Sequence, residues 1–332
     1  MCFSDECKVE LKEVDLEPKA NGILIKNLYT MISPGTELAL YSGLYRKTSS
    51  GSASKTWRTY PFFPGYSAVG RVVESTCSDF KAGDLVFHPS KHGSYEWFDA
   101  DTGLAVNINN FQKPEYALFA RFAQIASTAL RTADFQSGEY VLVTGLGIIG
   151  NMAAQLFKLS GARVFGSDID SNRRQMAEHC GIPTLNPMDP DYKENLLKIT
   201  KGQGMQVVVE ATGNPAVVNQ SLEAACECGQ VILLGSPRGM VQLNLYSYVH
   251  VKGITILGAH ERMQRMNTKN RGGKWDRIAN TNFVIEAIKD GRLVVSPLIT
   301  DIIKPIEAAN MYKTLLEGNK HSLGIVVDWQ DF

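Results

Sequence analysis

The stretch EYVLVTGLGIIGNMAAQLFKLSG, residues 139–161, decides how the chain is read. It opens as a short continuous apolar run, the pattern of a strand buried on both faces, and passes through three glycines into helical periodicity that stops at Gly161. Gly145, Gly147 and Gly150 spell G-x-G-x-x-G. A bare match to that spacing says little, but here a strand precedes it, a helix follows, and an acid, Asp168, closes the next strand, ARVFGSD. In that setting Gly145 permits a sharp turn, Gly147 lets the backbone approach a pyrophosphate, and Gly150 lets helix pack closely on strand. The helix N-terminus offers free N–H groups and a partial positive charge to phosphates. Asp168 suits the ribose hydroxyls and repels a 2′-phosphate, favouring NAD over NADP; Arg173 and Arg174 close behind it weigh the other way. Ile148 and Ile149 in the helix's first turn, and Thr212, Gly235 and Ser236 after later strands, complete the candidate cofactor residues. The competing reading is a purely structural strand–turn–helix with a solvated aspartate.

Working outward, the alternation continues. SNRRQMAEHCG reads as a helix, QVVVEATG, QVILLGS and ITILGAH as strands, and PAVVNQSLEAACECG lies between. Apolar strands alternating with helices of 10–15 residues build βαβ units and a parallel sheet. Before about residue 126 the texture differs. GILIKNLYTMI alternates at period two, and GRVVES and GDLVFHP are short strands joined at a Lys81–Asp84 turn. GLYRKTSSGSASKTWRTYPFF is polar and rich in Ser and Gly, and reads as a mobile loop. The tail holds two amphipathic helices, RIANTNFVIEAIKDGRL and PIEAANMYKTLLEGN, and a last strand, LGIVVDW.

The 332 residues are enough for about two domains. Thirty-four basic residues balance thirty-four acidic ones, which gives no basic excess for a nucleic acid. No apolar run approaches the roughly 18 residues of a membrane helix, and MCFSDECKVE lacks a signal peptide's apolar core. These features point to a cytoplasmic protein with a small-molecule partner. Six scattered cysteines without a C-x-x-C pair argue against a disulfide framework or a thiolate zinc site.

This order of parts resembles the medium-chain dehydrogenase/reductase superfamily. The likeness rests on ISPGTELALYSG, PGYSAVGRV, GDLVF, QIASTAL, GLGIIG, VVVEATG, VILLGSP, ITILGAH and SPLITDIIKPIEAANMYKTLLEGN. The form ISPGTEL looks most like the bacteriochlorophyllide a dehydrogenase-like branch. The resemblance implies an α/β protein with a GroES-like catalytic domain over residues 1–124 and a Rossmann domain with a doubly wound parallel sheet over 125–262. Residues 263–332 would return to the catalytic domain. It also implies a substrate held against the nicotinamide, and a homodimer joined at the sheet edge that reads GITILGAH.

Zinc members of the superfamily hold their metal with a cysteine, a histidine–glutamate pair and a later cysteine. The matching positions here carry Pro34, Tyr66, Ser67 and, by alignment to QIASTAL, Gln124. Proline has no ligating side chain and the others are poor zinc ligands. The structural zinc loop is missing as well, since no cysteine falls between Lys91 and Gln124. The expectation is therefore no zinc at either site.

Without a metal, a side chain must supply the proton or stabilise alkoxide charge. Tyr66 either takes over that chemistry or merely fills the vacated volume; its ordinary pKa of about 10 would have to fall for it to act as a base. His260 follows the strand beside the nicotinamide in relatives. Lys91, with His92 beside it, is a charge that would lower a nearby phenol's pKa, although both are more often solvated. Glu37 suits an ion-pair partner better than a base, and Arg262 and Trp275 are candidates for a polar substrate wall. The expected function is zinc-independent, NAD(H)-dependent interconversion of a secondary alcohol and a ketone on a sugar- or polyol-like molecule. Two rivals stand beside it: an NADPH-dependent quinone or enone reductase, and a dinucleotide-binding protein that has lost its chemistry.

Overall fold

The computed structural model describes residues 1–44, 59–101, 103–265, 274–319 and 321–332. Residues 45–58 of the run read as a mobile loop, and residues 269–273 of KNRGGKW, lie outside the described residues. The chain divides into two compact units, one of Met1–Arg121 with Leu298–Phe332, the other of Phe122–Pro297.

The first unit begins with β1 (Cys2–Asp5), β2 (Lys8–Glu10), β3 (Gly22–Ile32) and helix α1 (Pro34–Tyr41). It continues with β4 (Ala68–Ser75), β5 (Leu85–His88), β6 (Tyr95–Asp99) and β7 (Val106–Asn107). Helix α2 (Phe119–Thr132) carries the chain onward, and the division falls within it. The second unit then holds β8 (Tyr140–Thr144), α3 (Ile148–Leu159), β9 (Arg163–Ser167), α4 (Ser171–His179), β10 (Thr184–Leu185) and α5 (Tyr192–Ile199). After these come β11 (Met205–Glu210), α6 (Pro215–Ala224), β12 (Ala225–Leu233), β13 (Thr255–Gly258) and α7 (Arg277–Lys289). The first unit resumes with β14 (Ile299–Ile303), α8 (Ala308–Leu316) and β15 (Gly324–Asp328).

In the second unit the strands run in the order β10-β9-β8-β11-β12-β13, and every pair is parallel. Numbered from the glycine-loop strand, this is 3-2-1-4-5-6, the doubly wound order whose crevice opens where the direction of winding reverses, between β8 and β11. The apolar runs that read as fully buried strands are so: Val141, Leu142 and Val143 of β8 and Val207, Val208 and Val209 of β11 have no exposed surface. Helices α3 and α7 end against Gly161 and Gly291, at φ +92° and +72°, a conformation glycine reaches without a Cβ penalty. The segment PAVVNQSLEAACECG divides: its helix ends at Ala224, and ACECG starts β12 with an irregular register against β11.

In the first unit a seven-stranded sheet runs β14-β15-β3-β4-β5-β7, with β6 also on β3. Strand β3 is more buried than a half-exposed strand, because β15, β4 and β6 all pair along it. The returning segment packs Tyr312 of α8 and Trp329 against Phe3, Ile32 and Tyr41. Strand β14, which no period-two pattern announces, pairs parallel with β15. Among the described residues no helix is long and apolar enough to cross a membrane.

Candidate functional site

The three glycines of the loop after β8 meet three different steric demands. Gly145 sits at φ +88°, and a Cβ there would stand 2.7 Å from Thr212 Cγ2. A Cβ on Gly150 would come within 1.8 Å of the Gly145 carbonyl oxygen, so helix and loop touch backbone to backbone. Gly147 differs: it caps α3, and a Cβ there would meet nothing within 4 Å. The first and third glycines are needed to build the turn. The second keeps clear an approach to the helix N-terminus, the geometry that a dinucleotide's phosphates require.

Asp168 is 6% exposed, and its carboxylate is tied into the loop. Oδ2 accepts the Leu146 N–H at 2.7 Å and Oδ1 accepts the Asp170 N–H at 2.9 Å. Both arginines turn towards Asp168: Arg173 lies 3.8 Å from Oδ2, and Arg174 donates to the Asp168 carbonyl at 2.8 Å.

Sequence reasoning missed Glu210, at the end of β11. It is fully buried, Oε1 accepts the Thr212 N–H at 2.7 Å and the Gly213 N–H at 3.1 Å, and the Thr212 hydroxyl also donates to it. Burial pushes its carboxyl pKa up against the lowering effect of those bonds. Its carbonyl accepts the Gly235 N–H at 2.7 Å, and a Cβ on Gly235 would stand 2.3 Å from Gly213 N. Glu210 therefore fixes the turn carrying Thr212, which packs against Gly145 of the glycine loop. The available signal was a lone acid ending an otherwise apolar run, VVVE, before A-T-G.

Beside it, the ends of β12 and β13 enclose an open cleft of about 480 Å³. Gly235, Ser236, Arg238, His260 and Met263 are among its lining residues. His260 is exposed, and its Nδ1 accepts the Arg262 N–H at 3.1 Å. Arg262 is exposed, and Trp275 lies under the Lys274 ammonium, 5.1 Å from ring centre to Nζ.

In the first unit, Tyr66 and Ser67 precede β4 where it runs beside the end of β3. Ser67 is fully buried and its hydroxyl donates to the Leu118 carbonyl at 2.7 Å. Tyr66 is half-buried, its hydroxyl donates to Ser33 Oγ, and the Arg121 guanidinium lies 5.1 Å from its ring centre. Burial pushes the Tyr66 phenol up to about 12, outweighing the Ser33 hydrogen bond and the Arg121 charge, which act downwards. The phenol is thus protonated at neutral pH. The cation against it is Arg121; Lys91 is exposed and stands instead over Phe63, 5.7 Å from its centre.

Behind Tyr66 lies a buried chain of polar groups. Glu37, 1% exposed, accepts the Ser33 N–H at 2.9 Å through Oε1. Its Oε2 is 3.1 Å from His92 Nε2 and accepts the Tyr312 hydroxyl. The other ring nitrogen of His92 is 2.7 Å from Thr30 Oγ1, which also accepts Trp329 Nε1–H at 2.8 Å. His92 is not the solvated histidine its loop context suggests: it is 2% exposed, and its ring partners come from β3 (Thr30) and α1 (Glu37). Glu37 is enclosed by donors and holds Ser33, which in turn accepts from Tyr66.

Chemically, the positions matching zinc ligands do not suit that ion. Pro34 offers no donor atom, and the Tyr66 and Ser67 hydroxyls are engaged as above. The Gln124 amide, buried in the second unit, donates to Gln264 Oε1 at 2.7 Å. Among the described residues no three His, Cys, Asp or Glu side chains gather as a metal-holding group.

Residues 149–270, entirely within the second unit, match the family described as zinc-binding dehydrogenase. The chain is 27% identical to the L-threonine 3-dehydrogenase of Pyrococcus furiosus, over 95% of this chain and 94% of that one. The fold is similar to galactitol-1-phosphate dehydrogenase from Escherichia coli, with a TM-score of 0.80, 16% identity, and 98% and 99% of the two chains covered. It is also similar to 2R,3R-butanediol dehydrogenase from Bacillus subtilis, with a TM-score of 0.77, 19% identity and 98% of each chain covered. With the doubly wound sheet and its glycine loop, these likenesses support an enzyme of the medium-chain dehydrogenase/reductase kind, an oxidoreductase.

Proposed function

We propose that the protein is a zinc-independent, NAD(H)-dependent oxidoreductase that interconverts a secondary alcohol and a ketone on a polar small molecule. The observation that carries this reading is the clear approach to the N-terminus of α3 at Gly147, set in the crevice of the 3-2-1-4-5-6 sheet. Similarity to a threonine, a butanediol and a galactitol phosphate dehydrogenase supports a polar alcohol as substrate. The sugar- or polyol-like expectation is retained as part of this proposal.

In this reading Gly145, Gly147, Ile148, Ile149 and Gly150 receive the dinucleotide's phosphates, and Asp168 its ribose hydroxyls. The Asp168 carboxylate at the end of β9 supports NAD over NADP, while the Arg173 and Arg174 guanidiniums beside it weigh the other way. Thr212, Gly235 and Ser236 line the nicotinamide end. Bound NAD(H) supplies or takes up the hydride. In the direction of ketone reduction Tyr66, protonated up to about pH 12, turns its hydroxyl from Ser33 to the substrate oxygen and acts there as hydrogen-bond donor and acid. Glu37 positions Ser33 and through it the phenol. His260, its Nδ1 occupied, presents Nε2 as a donor at the cleft. Lys91 takes no part beyond the surface.

The lack of a ligating atom at Pro34 and the engaged hydroxyls and amide of Tyr66, Ser67 and Gln124 support a mechanism without zinc. Among the described residues strand β13 is an edge of its sheet, and Leu245, Tyr246, Val249 and Val251 nearby in sequence are exposed, which supports a homodimer formed through that edge. A monomer by light scattering would remove that part of the reading. The decisive test is a hydride-transfer screen over sugars, polyols, quinones and enones, with metal analysis of the same preparation. Reduction of a ketone by NADH without bound zinc, lost by at least about a hundredfold in Tyr66→Phe with NADH affinity kept, is the expected result. Turnover confined to enones with NADPH, near-stoichiometric zinc, or full activity in Tyr66→Phe would each overturn the corresponding element.

A further inference from the structure

We infer that Glu210 is a positioning residue for the bound dinucleotide, a role that rests on the dehydrogenase reading above. It turns the Thr212 hydroxyl hydrogen inward, so that a lone pair of Thr212 Oγ1 accepts from an O–H or N–H donor of the cofactor. Glu210 has no exposed surface and acts only through its neighbours, whereas Thr212, two residues on, is exposed. Glu210 ends β11 opposite Thr144, the last residue of β8, so Thr212 stands at the strand ends that flank the crevice. Its methyl lies against the glycine loop: a Cβ on Gly145 would stand 2.7 Å from Thr212 Cγ2. A hydroxyl has one hydrogen and two lone pairs. The hydrogen goes to Glu210 Oε1, and one lone pair takes the Asn214 N–H at 3.0 Å. Among the described residues nothing takes up the second lone pair. A hydroxyl fixed in this way has only acceptor capacity left, which suits a ribose hydroxyl or the carboxamide N–H of a nicotinamide.

The anchor has to be a carboxylate. Besides the hydroxyl, Oε1 accepts the Thr212 N–H at 2.7 Å and the Gly213 N–H at 3.1 Å, and Oε2 lies 3.3 Å from the same Gly213 nitrogen. Each of these partners is a donor, so a glutamine here would turn its own N–H groups against one of them. The main chain of Glu210 ties in the next turn as well. Its carbonyl accepts the Leu234 N–H at 2.9 Å and the Gly235 N–H at 2.7 Å. The two turns meet backbone to backbone, since a Cβ on Gly213 would lie 3.0 Å from Ser236 N and one on Gly235 2.3 Å from Gly213 N. Glu210 is thus the shared anchor of the turns after β11 and β12, and Thr212 Oγ1 is the atom through which it reaches the crevice.

The test is a double-mutant cycle on the full chain, read as NADH affinity by fluorescence titration. Thr212→Val deletes the hydroxyl and Glu210→Gln removes its anchor; each should weaken NADH binding by about threefold to tenfold. Because Glu210 acts through Thr212, the double variant should bind no more weakly than the weaker of the two single variants, whereas independent effects would multiply. Thr212→Ser, which retains the hydroxyl, should stay within about twofold of the parent. If Glu210→Gln does not fold, Glu210→Asp, which draws the carboxylate back from Thr212, takes its place in the cycle. Calorimetry with ADP-ribose identifies the donor: a Thr212→Val penalty that persists assigns a ribose hydroxyl, and one that vanishes assigns the carboxamide. Multiplying losses in the double variant, parent-like NADH affinity in Thr212→Val, or equal affinity in Thr212→Val and Thr212→Ser each overturn the inference. Failure of the unaltered protein to bind either NADH or ADP-ribose would instead bring down the dehydrogenase reading, and this role with it.

Discussion

Replacing Gly147 and Gly150 by alanine, one at a time, separates the turn's construction from its use. At Gly147 the backbone is at φ −61°, ψ 178°, which any residue adopts, and an added Cβ meets no atom within 4 Å. Alanine is a poorer N-cap than glycine by about 0.5–1 kcal/mol, but it restricts the unfolded chain by a similar amount. The net change should stay within about 1 kcal/mol, a shift of melting temperature under about 4 °C for a unit of this size. At Gly150 the Cβ would sit 1.8 Å from the Gly145 carbonyl, a backbone atom that cannot swing aside. Overpacking of that kind costs about 1–3 kcal/mol or more, and the melting temperature should fall by about 4–10 °C. Binding should show the opposite contrast. The Gly147→Ala methyl stands in the phosphates' approach, so NADH affinity should fall at least about tenfold, or about 1.4 kcal/mol, in a protein that is otherwise intact. Differential scanning fluorimetry of the free protein and NADH fluorescence titration read the two effects separately. If Gly147→Ala binds NADH within twofold of the parent, the loop does not receive a dinucleotide as argued here; a fully stable Gly150→Ala would refute the packing argument.

Three further outcomes are expected. Asp168→Asn keeps the side chain's shape but removes its charge, and should move the ratio of NADH to NADPH affinity by at least about tenfold towards NADPH, about 1.4 kcal/mol, in paired fluorescence titrations; an unaltered protein that already prefers NADPH would contradict the assignment. His88 is fully buried, its Nε2 is 2.9 Å from Asn27 Oδ1 and its Nδ1 has no partner, and burial lowers its pKa from 6.5 to about 3. Because the unfolded chain takes up a proton that the folded one refuses, stability is full above about pH 6.5 and declines as pH falls towards 3. This amounts to about 2 kcal/mol between pH 7.5 and pH 5; urea midpoints at those pH values should show the loss, and His88→Gln should reduce it. Glu37→Gln presents an amide N–H to groups that now meet a carboxylate oxygen, so it should cost about 1–3 kcal/mol in urea unfolding; unchanged stability would mean that the Ser33–Glu37–Tyr312 chain does not hold the fold.

Features with local causes were legible in the sequence. The parallel sheet follows from apolar runs of strand length alternating with helical periodicity. The glycine loop follows from three residues whose missing side chains have separate steric reasons within one turn. The unsuitability of Pro34, Tyr66, Ser67 and Gln124 as zinc ligands follows from residue chemistry alone. The parts decided by tertiary structure depend on groups far apart in the chain. Ser67 and Tyr66 are neighbours in sequence, yet one hydroxyl turns to the Leu118 carbonyl and the other to Ser33, a division set by which element packs on each face. Glu37 meets Tyr312 from 275 residues away, and His92 is drawn inward because Thr30 and Glu37 both wait there for its ring nitrogens. The character of Tyr66 was likewise a tertiary outcome. Its sequence position left open whether it takes over the metal's chemistry or only fills the volume, and its pKa depends on surroundings assembled by folding: enclosure raises the phenol where a nearby charge alone would have lowered it.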